Sequence, residues 1–234
     1  MSTTVINVKP WLKFTATTVG RDKLYRGVQY FSRFLAWFLL RSGATKETVT
    51  RFDNLKKTLA LSRKCKPIEH FESAMTAMSL TEEIIRFFTV GKQLCYAGYL
   101  AFDALVFLDG AGAYKFQNIK RYIELSNKFW LSGIIFSFLG GLYKTRHIQI
   151  RRETASRGLK HHVESEKLNA RAEVKAIERE QHEVNKHLLQ DALDMLIPST
   201  SLGYVDLDDG LVGLIGTVTS IMGAQAHWAK VNKS

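Results

Sequence analysis

Apolar positions along this chain recur at helical spacing, and no strand alternation stands out. Leu24, Val28, Phe31, Leu35 and Phe38 form one seam, widened by Phe34 and Leu39. Phe71, Met75, Met78, Ile85 and Phe88 form a second, interrupted by Glu82. Both seams predict core helices of a helical bundle, with the methionine pair as core filling.

Three longer apolar segments follow. Leu94–Leu108 is apolar except for Asp103, Phe129–Tyr143 is uncharged over 15 residues, and Leu211–Ala229 has 19 residues without a formal charge. A helix that crosses a bilayer needs about 20 residues. The last segment reaches that length and is expected to be a transmembrane segment. The second falls short unless Lys128 and Lys144 snorkel outward. The first, with its mid-segment acid, reads as an interfacial or protein-buried helix, and Asp103 as an interhelical hydrogen-bonding group. Small residues recur every four positions at Gly133, Ser137 and Gly141, and again at Gly216, Ser220 and Ala224. Such rows let helix backbones approach closely, so these six are candidate helix-packing positions.

Residues 144–190 are densely charged with both signs mixed. Val163, Ala170, Ile177 and Val184 repeat every seven residues, while Glu166, Glu173 and Glu180 occupy a row where a coiled coil would need a second apolar position. That pattern predicts a long, mostly exposed helix with one thin partner-facing edge. Pro198-Ser-Thr-Ser is expected to be a loop.

The stretch Gly43–Pro67 carries the most specific signal. Wound as a helix that Pro67 terminates, it places Phe52, Leu55 and Leu59 on one stripe. Lys56 and Arg63 border the stripe, and Arg51, Lys57, Lys64 and Lys66 stand nearby. An apolar strip edged by cations suits the boundary of an anionic phospholipid membrane. By itself the segment suits better a helix packed on a protein core with a solvated basic face, since amphipathic surface helices are the commonest kind.

Charge sharpens this reading. The 234 residues carry a formal net charge of +11. Residues 1–92 hold nine Lys and seven Arg against two Asp and five Glu. A polyanionic partner is expected, either a membrane surface or nucleic acid. For nucleic acid, Tyr25, Arg26, Tyr30 and Arg33 offer a weak interleaved aromatic and basic run, and the three apolar segments argue against that partner. Two cysteines, Cys65 and Cys95, do not make a disulfide scaffold and suggest a reduced compartment. The N-terminal sequence carries no cleavable signal pattern, no myristoylation glycine follows Met1, and the C-terminal KVNKS is not a prenylation box.

Catalytic chemistry is not expected. His161, His162, His182 and His187 are scattered along the charged helix without converging, so neither a metal nor a cofactor is implied. The DLDDG run at 206–210 starts like a calcium loop, but position 217 is Thr where a bidentate Glu is required. No phosphate-binding loop or nucleophile elbow occurs.

Taken in order, GRDKLYRGVQYFSRFLAWFL (20–39), LKKTLALSRKCKPI (55–68), ESAMTAMSLTEEIIRFFTVGKQLCYAGYLAFDALVFL (72–108), WLSGIIFSFLGGLYKTR (130–146) and LVGLIGTVTSIMGAQAHW (211–228) resemble the peroxin-11 family of peroxisomal membrane proteins. The resemblance covers nearly the whole chain and is poorest over 147–200. It implies a protein of the peroxisomal membrane that promotes peroxisome proliferation. Such proteins elongate the membrane through an amphipathic helix, self-associate as homo-oligomers, and help assemble a dynamin-related fission machinery. The remodelling helix maps onto Arg51, Phe52, Leu55, Lys56, Lys57, Leu59, Arg63, Lys64 and Lys66.

The expected architecture is all-α, a helical membrane protein with an N-terminal amphipathic-helix region and C-terminal membrane-embedded helices. Residues 1–92 form the basic helical region and 93–145 the apolar membrane-associated helices. Residues 146–200 form the charged helical region and loop, and 201–234 the transmembrane segment. Acids before the last segment and lysines after it place the C-terminus in the cytosol, and the basic charge of the N-terminal region places that there too, which would require an even number of spans. A membrane channel or metabolite transporter with Asp103 in its path is the alternative.

Overall fold

The computed structural model describes residues 8–62, 67–110, 114–159 and 164–232, and among them every regular element is a helix. In chain order these are α1 (Lys9–Ala16), α2 (Thr18–Arg41), α3 (Lys46–Ser62), α4 (Pro67–Ala77), α5 (Glu83–Gly110), α6 (Ile119–Leu159), α7 (Glu164–Ser201) and α8 (Asp209–Asn232). Local chemistry sets the boundaries. The Thr17 hydroxyl accepts from the Gly20 N–H at 3.0 Å and starts α2, and the Asp208 carboxylate accepts from the Leu211 N–H at 2.8 Å and starts α8. Gly43 (φ +74°) ends α2, where the Ala44 N–H reaches back to the Leu39 carbonyl at 3.0 Å. Gly203 (φ +75°) ends α7 in the same way, with Tyr204 N–H on the Ser199 carbonyl at 2.9 Å. Only glycine takes that left-handed conformation without strain.

The helices form two packed groups. One is built from α4, α5, α6 and α7, each packed on the next; in the other, α2 packs on α3 and α8, with α1 touching both α2 and α8. The α7–α8 contact joins the groups. Tyr30, Ile197 and Val212 make a buried cluster there, flanked by Trp130, Leu207 and Ile215. A second cluster, Ile148, Ile177 and Val184 with Leu188 beside it, zips α6 to α7.

Several sequence expectations are corrected here. Pro67 opens α4 rather than closing the preceding helix, because the first helical position needs no N–H and already has proline's φ. Pro198 lies inside α7, which continues to Ser201, so the expected loop begins four residues later than the proline. Its ring is fully buried at the α7–α8 contact region, where packing offsets the missing hydrogen bond. Ile177 and Val184 are the core of an α6–α7 hairpin rather than a thin edge on an exposed helix, because α6 supplies the partner row; Val163 lies outside the described residues. The seam of Leu24, Val28, Phe31 and Phe38 is exposed, and α2 buries Arg26, Tyr30, Ser32 and Ala36 instead. Met75 and Met78 are also exposed rather than core filling.

Candidate membrane-facing surface

The Gly43 turn folds α3 back along α2. Of the expected remodelling residues, Phe52, Lys56 and Leu59 are half-buried, whereas Arg51 and Lys57 are exposed and Leu55 is 41% exposed. Arg63, Lys64 and Lys66 lie outside the described residues. The apolar stripe is therefore split, with Leu55 open to the surroundings and its neighbours partly covered. The cations are tied along the helix. Lys56 and Lys57 donate to the two oxygens of Asp53 at 2.5 and 2.7 Å, and Arg51 pairs with Glu47 at 2.7 Å. Hydrogen bonds from both lysines hold the Asp53 carboxyl below its usual range. Sequence reasoning counted the lysines as free headgroup partners and missed Asp53, although its spacing of three and four residues from them is the signature of helix-surface pairing.

The small residues lie at contacts within the chain. A Cβ on Gly133 would sit 3.2 Å from the Tyr96 ring and 3.3 Å from Cys95 of α5; one on Gly141 would meet Leu188 of α7 at 2.7 Å. Ser137 accepts from the Lys92 ammonium at 2.9 Å. Gly216 faces the Tyr30 ring of α2, and buried Ser220 lies beside Gly27 of the same helix. Ala224, one turn further along α8, is half-buried.

On α8 the residues that look away from α2 are Leu211, Leu214, Val218 and Ile221, all exposed. The face toward α2 is Gly210, Gly213, Gly216, Thr219, Ser220 and Gly223. The expectation of a transmembrane segment over Leu211–Ala229 finds no support in this division. Six of the 19 residues in that run are glycine, serine or threonine, and those on the α2 side are fitted to a partner helix, which dilutes the run's apolar content. Among the described residues no helix is long and apolar enough to cross a membrane. The outer stripe at spacings of three and four residues was present in the sequence, but the surrounding uncharged residues hid it.

Between the two helix groups lies a cleft of about 580 Å³, lined by α2, α4, α5, α6 and α7. Its chemistry is polar. Arg26 makes a two-pronged pair with Asp194, closest at 2.5 Å, and both side chains are buried. Burial opposes the guanidinium charge, but Asp194 outweighs it and holds Arg26 above its usual value. Burial pulls the Lys92 ammonium below the ordinary lysine range, with Asp191 opposing. Asp103 lines this cleft midway along α5. Asp208 and Asp209 serve as a helix cap and as the partner of Arg33.

Among the described residues every regular element is a helix, and α1, α2 and α8 turn large apolar residues outward. The family model of Peroxisomal biogenesis factor 11 (PEX11) matches residues 8–228, and the chain belongs to that family. The peroxisomal membrane protein PMP27 of Saccharomyces cerevisiae is 28% identical over 233 residues, spanning 95% of this chain and 94% of the relative. PMP30A of Candida boidinii is 28% identical over 239 residues, spanning 93% and 92%. Peroxisomal membrane protein 11B of Homo sapiens is 26% identical over 242 residues, spanning 91% and 93%. No solved structure matches the chain.

Proposed function

We propose that this chain acts in peroxisome biogenesis at the peroxisomal membrane, where α3 curves the bilayer by entering its outer layer as a wedge. The observation that supports this is the state of α3: Leu55 is open, exposed Arg51 and Lys57 flank it, and the helix hangs from the Gly43 turn. A rotation about that turn would free Phe52 and Leu59 from α2, the helix on which α3 packs. The released stripe enters the acyl region while the cations meet phosphate groups, expanding the headgroup area more than the acyl area. Lipid replaces the α2 surface as the apolar partner, so the exchange needs only a small free-energy difference.

Self-association concentrates such wedges and favours a curved tubule. A dynamin-related fission machinery follows as the partner that acts on the tubule, on the strength of the family resemblance. The N-terminal region is then cytosolic, facing the side from which that machinery works.

The test uses the full chain on anionic vesicles. Leu55→Glu places a carboxylate on the open part of the stripe and leaves α2 contacts untouched, so folding, read by far-ultraviolet circular dichroism, stays as in the parent. Tubule formation, counted by electron microscopy, is expected to stop. A Leu55→Glu chain that forms tubules as the parent does would show that α3 packs on protein alone.

A further inference from the structure

The N-terminal helix α1 has three distinct faces. Phe14, 2% exposed, is its inner face, and packs against His227 and Trp228 near the end of α8, with ring centroids 5.6 and 5.5 Å away. The Thr17 hydroxyl, at the end of α1, pairs with His227 Nε2 at 2.8 Å. These contacts hold α1 in place. Val8, Trp11 and Leu12 form the outer face, and Trp11 and Leu12 are 52% and 61% exposed. Trp11 rests edge-on against Trp228, with centroids 4.8 Å apart, which orients the indole without covering it. Lys9 and Lys13 stand on the third face, both exposed. Exposed Arg21 and Lys230 continue the positive charge on the neighbouring ends of α2 and α8.

An exposed indole beside an exposed leucine, rimmed by lysines, is the chemistry of the headgroup–acyl boundary of an anionic bilayer. At a rise of about 1.5 Å per residue, eight residues give a helix of roughly 12 Å, too short to span and long enough to lie flat. We propose that α1 is a second lipid-contact site, fixed in the fold, that seats Val8, Trp11 and Leu12 at this boundary while Lys9 and Lys13 meet the phosphates. It rests on the membrane reading above but not on α3. The two sites differ in kind: α3 must leave α2 to expose its whole stripe, whereas α1 already presents its outer face. The occupant is lipid rather than a second copy of the chain because Lys9, Lys13, Arg21, Lys23 and Lys230 gather positive charge at this end. Two copies meeting here would bring like charges together.

The experiment measures tryptophan quenching by brominated phosphatidylcholine in phosphatidylserine-containing vesicles, comparing the full chain with Trp11→Phe. The expected result is strong quenching in the parent and loss of most of it in Trp11→Phe, since Trp37, Trp130 and Trp228 are half-buried. Leu12→Glu is expected to weaken vesicle binding without changing the thermal midpoint. Lys9→Ala and Lys13→Ala are each expected to weaken it about fivefold on anionic vesicles and little on neutral ones.

Equal quenching in parent and Trp11→Phe would overturn the proposal, as would a Trp11 emission shift that follows protein concentration without bromine quenching, the mark of a second copy. Trp11 quenching that persists in Leu55→Glu supports α1 whatever becomes of tubule formation. Tubule formation by a parent whose Trp11 is not quenched overturns α1 alone. A parent that binds no vesicle overturns both readings.

Discussion

Two seams in this molecule are built from the same materials in opposite ways. Along α2–α8 all the glycines at the tightest points lie on α8 and all the aromatics on α2: Gly210 meets Trp37, Gly213 meets Phe34, and Gly216 meets Tyr30. Along α5–α6 the exchange is reciprocal. Gly91 and Gly98 of α5 receive Phe136 and Phe129 of α6, and Gly133 and Gly140 of α6 receive Tyr96 and Phe88 of α5. In the one-sided seam a helix with a glycine face has large apolar residues left for its other face, although Val212 and Ile215 pack inward. This is why α8 shows Leu211, Leu214, Val218 and Ile221 to its surroundings. In the reciprocal seam both helices commit large rings inward, and the exposed apolar residues are spread over both. The one-sided arrangement leaves an apolar stripe on one helix; the reciprocal one divides the exposed apolar residues between two.

The largest effect is expected at the pair that ties the two helix groups together, Arg26 of α2 and Asp194 of α7. Arg26→Met leaves the buried Asp194 carboxylate without its partner and is expected to cost about 3–5 kcal/mol. Adding Asp194→Leu is expected to restore most of this, as read by urea unfolding. A single substitution with no effect would mean that the groups are not held by this pair.

Next comes Gly213→Val in the one-sided seam. Its Cβ would lie 2.6 Å from the backbone nitrogen of Phe34, which cannot rotate aside. The helices must separate, and about 2–3 kcal/mol is expected to be lost. Gly98→Ala in the reciprocal seam is milder, about 1 kcal/mol, because the neighbour at 2.8 Å is the Phe129 ring. Phe129→Leu added to Gly98→Ala is expected to be less destabilising than the two singles combined, a positive coupling in a double-mutant cycle. Strict additivity would break the distinction between the seams.

The smallest effect is in α3, outside both seams. Asp53 is held below its usual value by Lys56 and Lys57, so its contribution is present above the unfolded carboxyl value, near pH 4, and fades as pH falls through the lowered folded value. Amide exchange in α3, compared between the parent and Asp53→Asn, is expected to differ slightly at neutral pH and to converge at low pH.

The helical class and the order of apolar segments were legible in the residues because helical spacing is a local property. So was the cation-edged stripe of α3. The direction each stripe faces was not. Leu24, Val28, Phe31 and Phe38 have the spacing of a core seam, yet the interior of α2 holds Arg26, Tyr30, Ser32 and Ala36. An apolar stripe states only that a surface avoids water. It does not say whether protein or lipid covers it, and in a protein built against a membrane both are available.

The same limit governed Leu211–Ala229 and α1. Length and lack of charge made the former read as a span, while its glycines mattered only once α2 was seen against them. The eight residues of α1 are too few for periodicity to mark. Its outer face became visible only when Phe14 was found seated on His227 and Trp228. By itself the sequence determined the helical class, the break at Gly43, the excess of positive charge and the family. Only the tertiary structure decided which face of each helix was consumed by a neighbour, because that depends on side chains brought together from distant parts of the chain. Arg26 finds Asp194 across 168 positions, and no local pattern records that meeting.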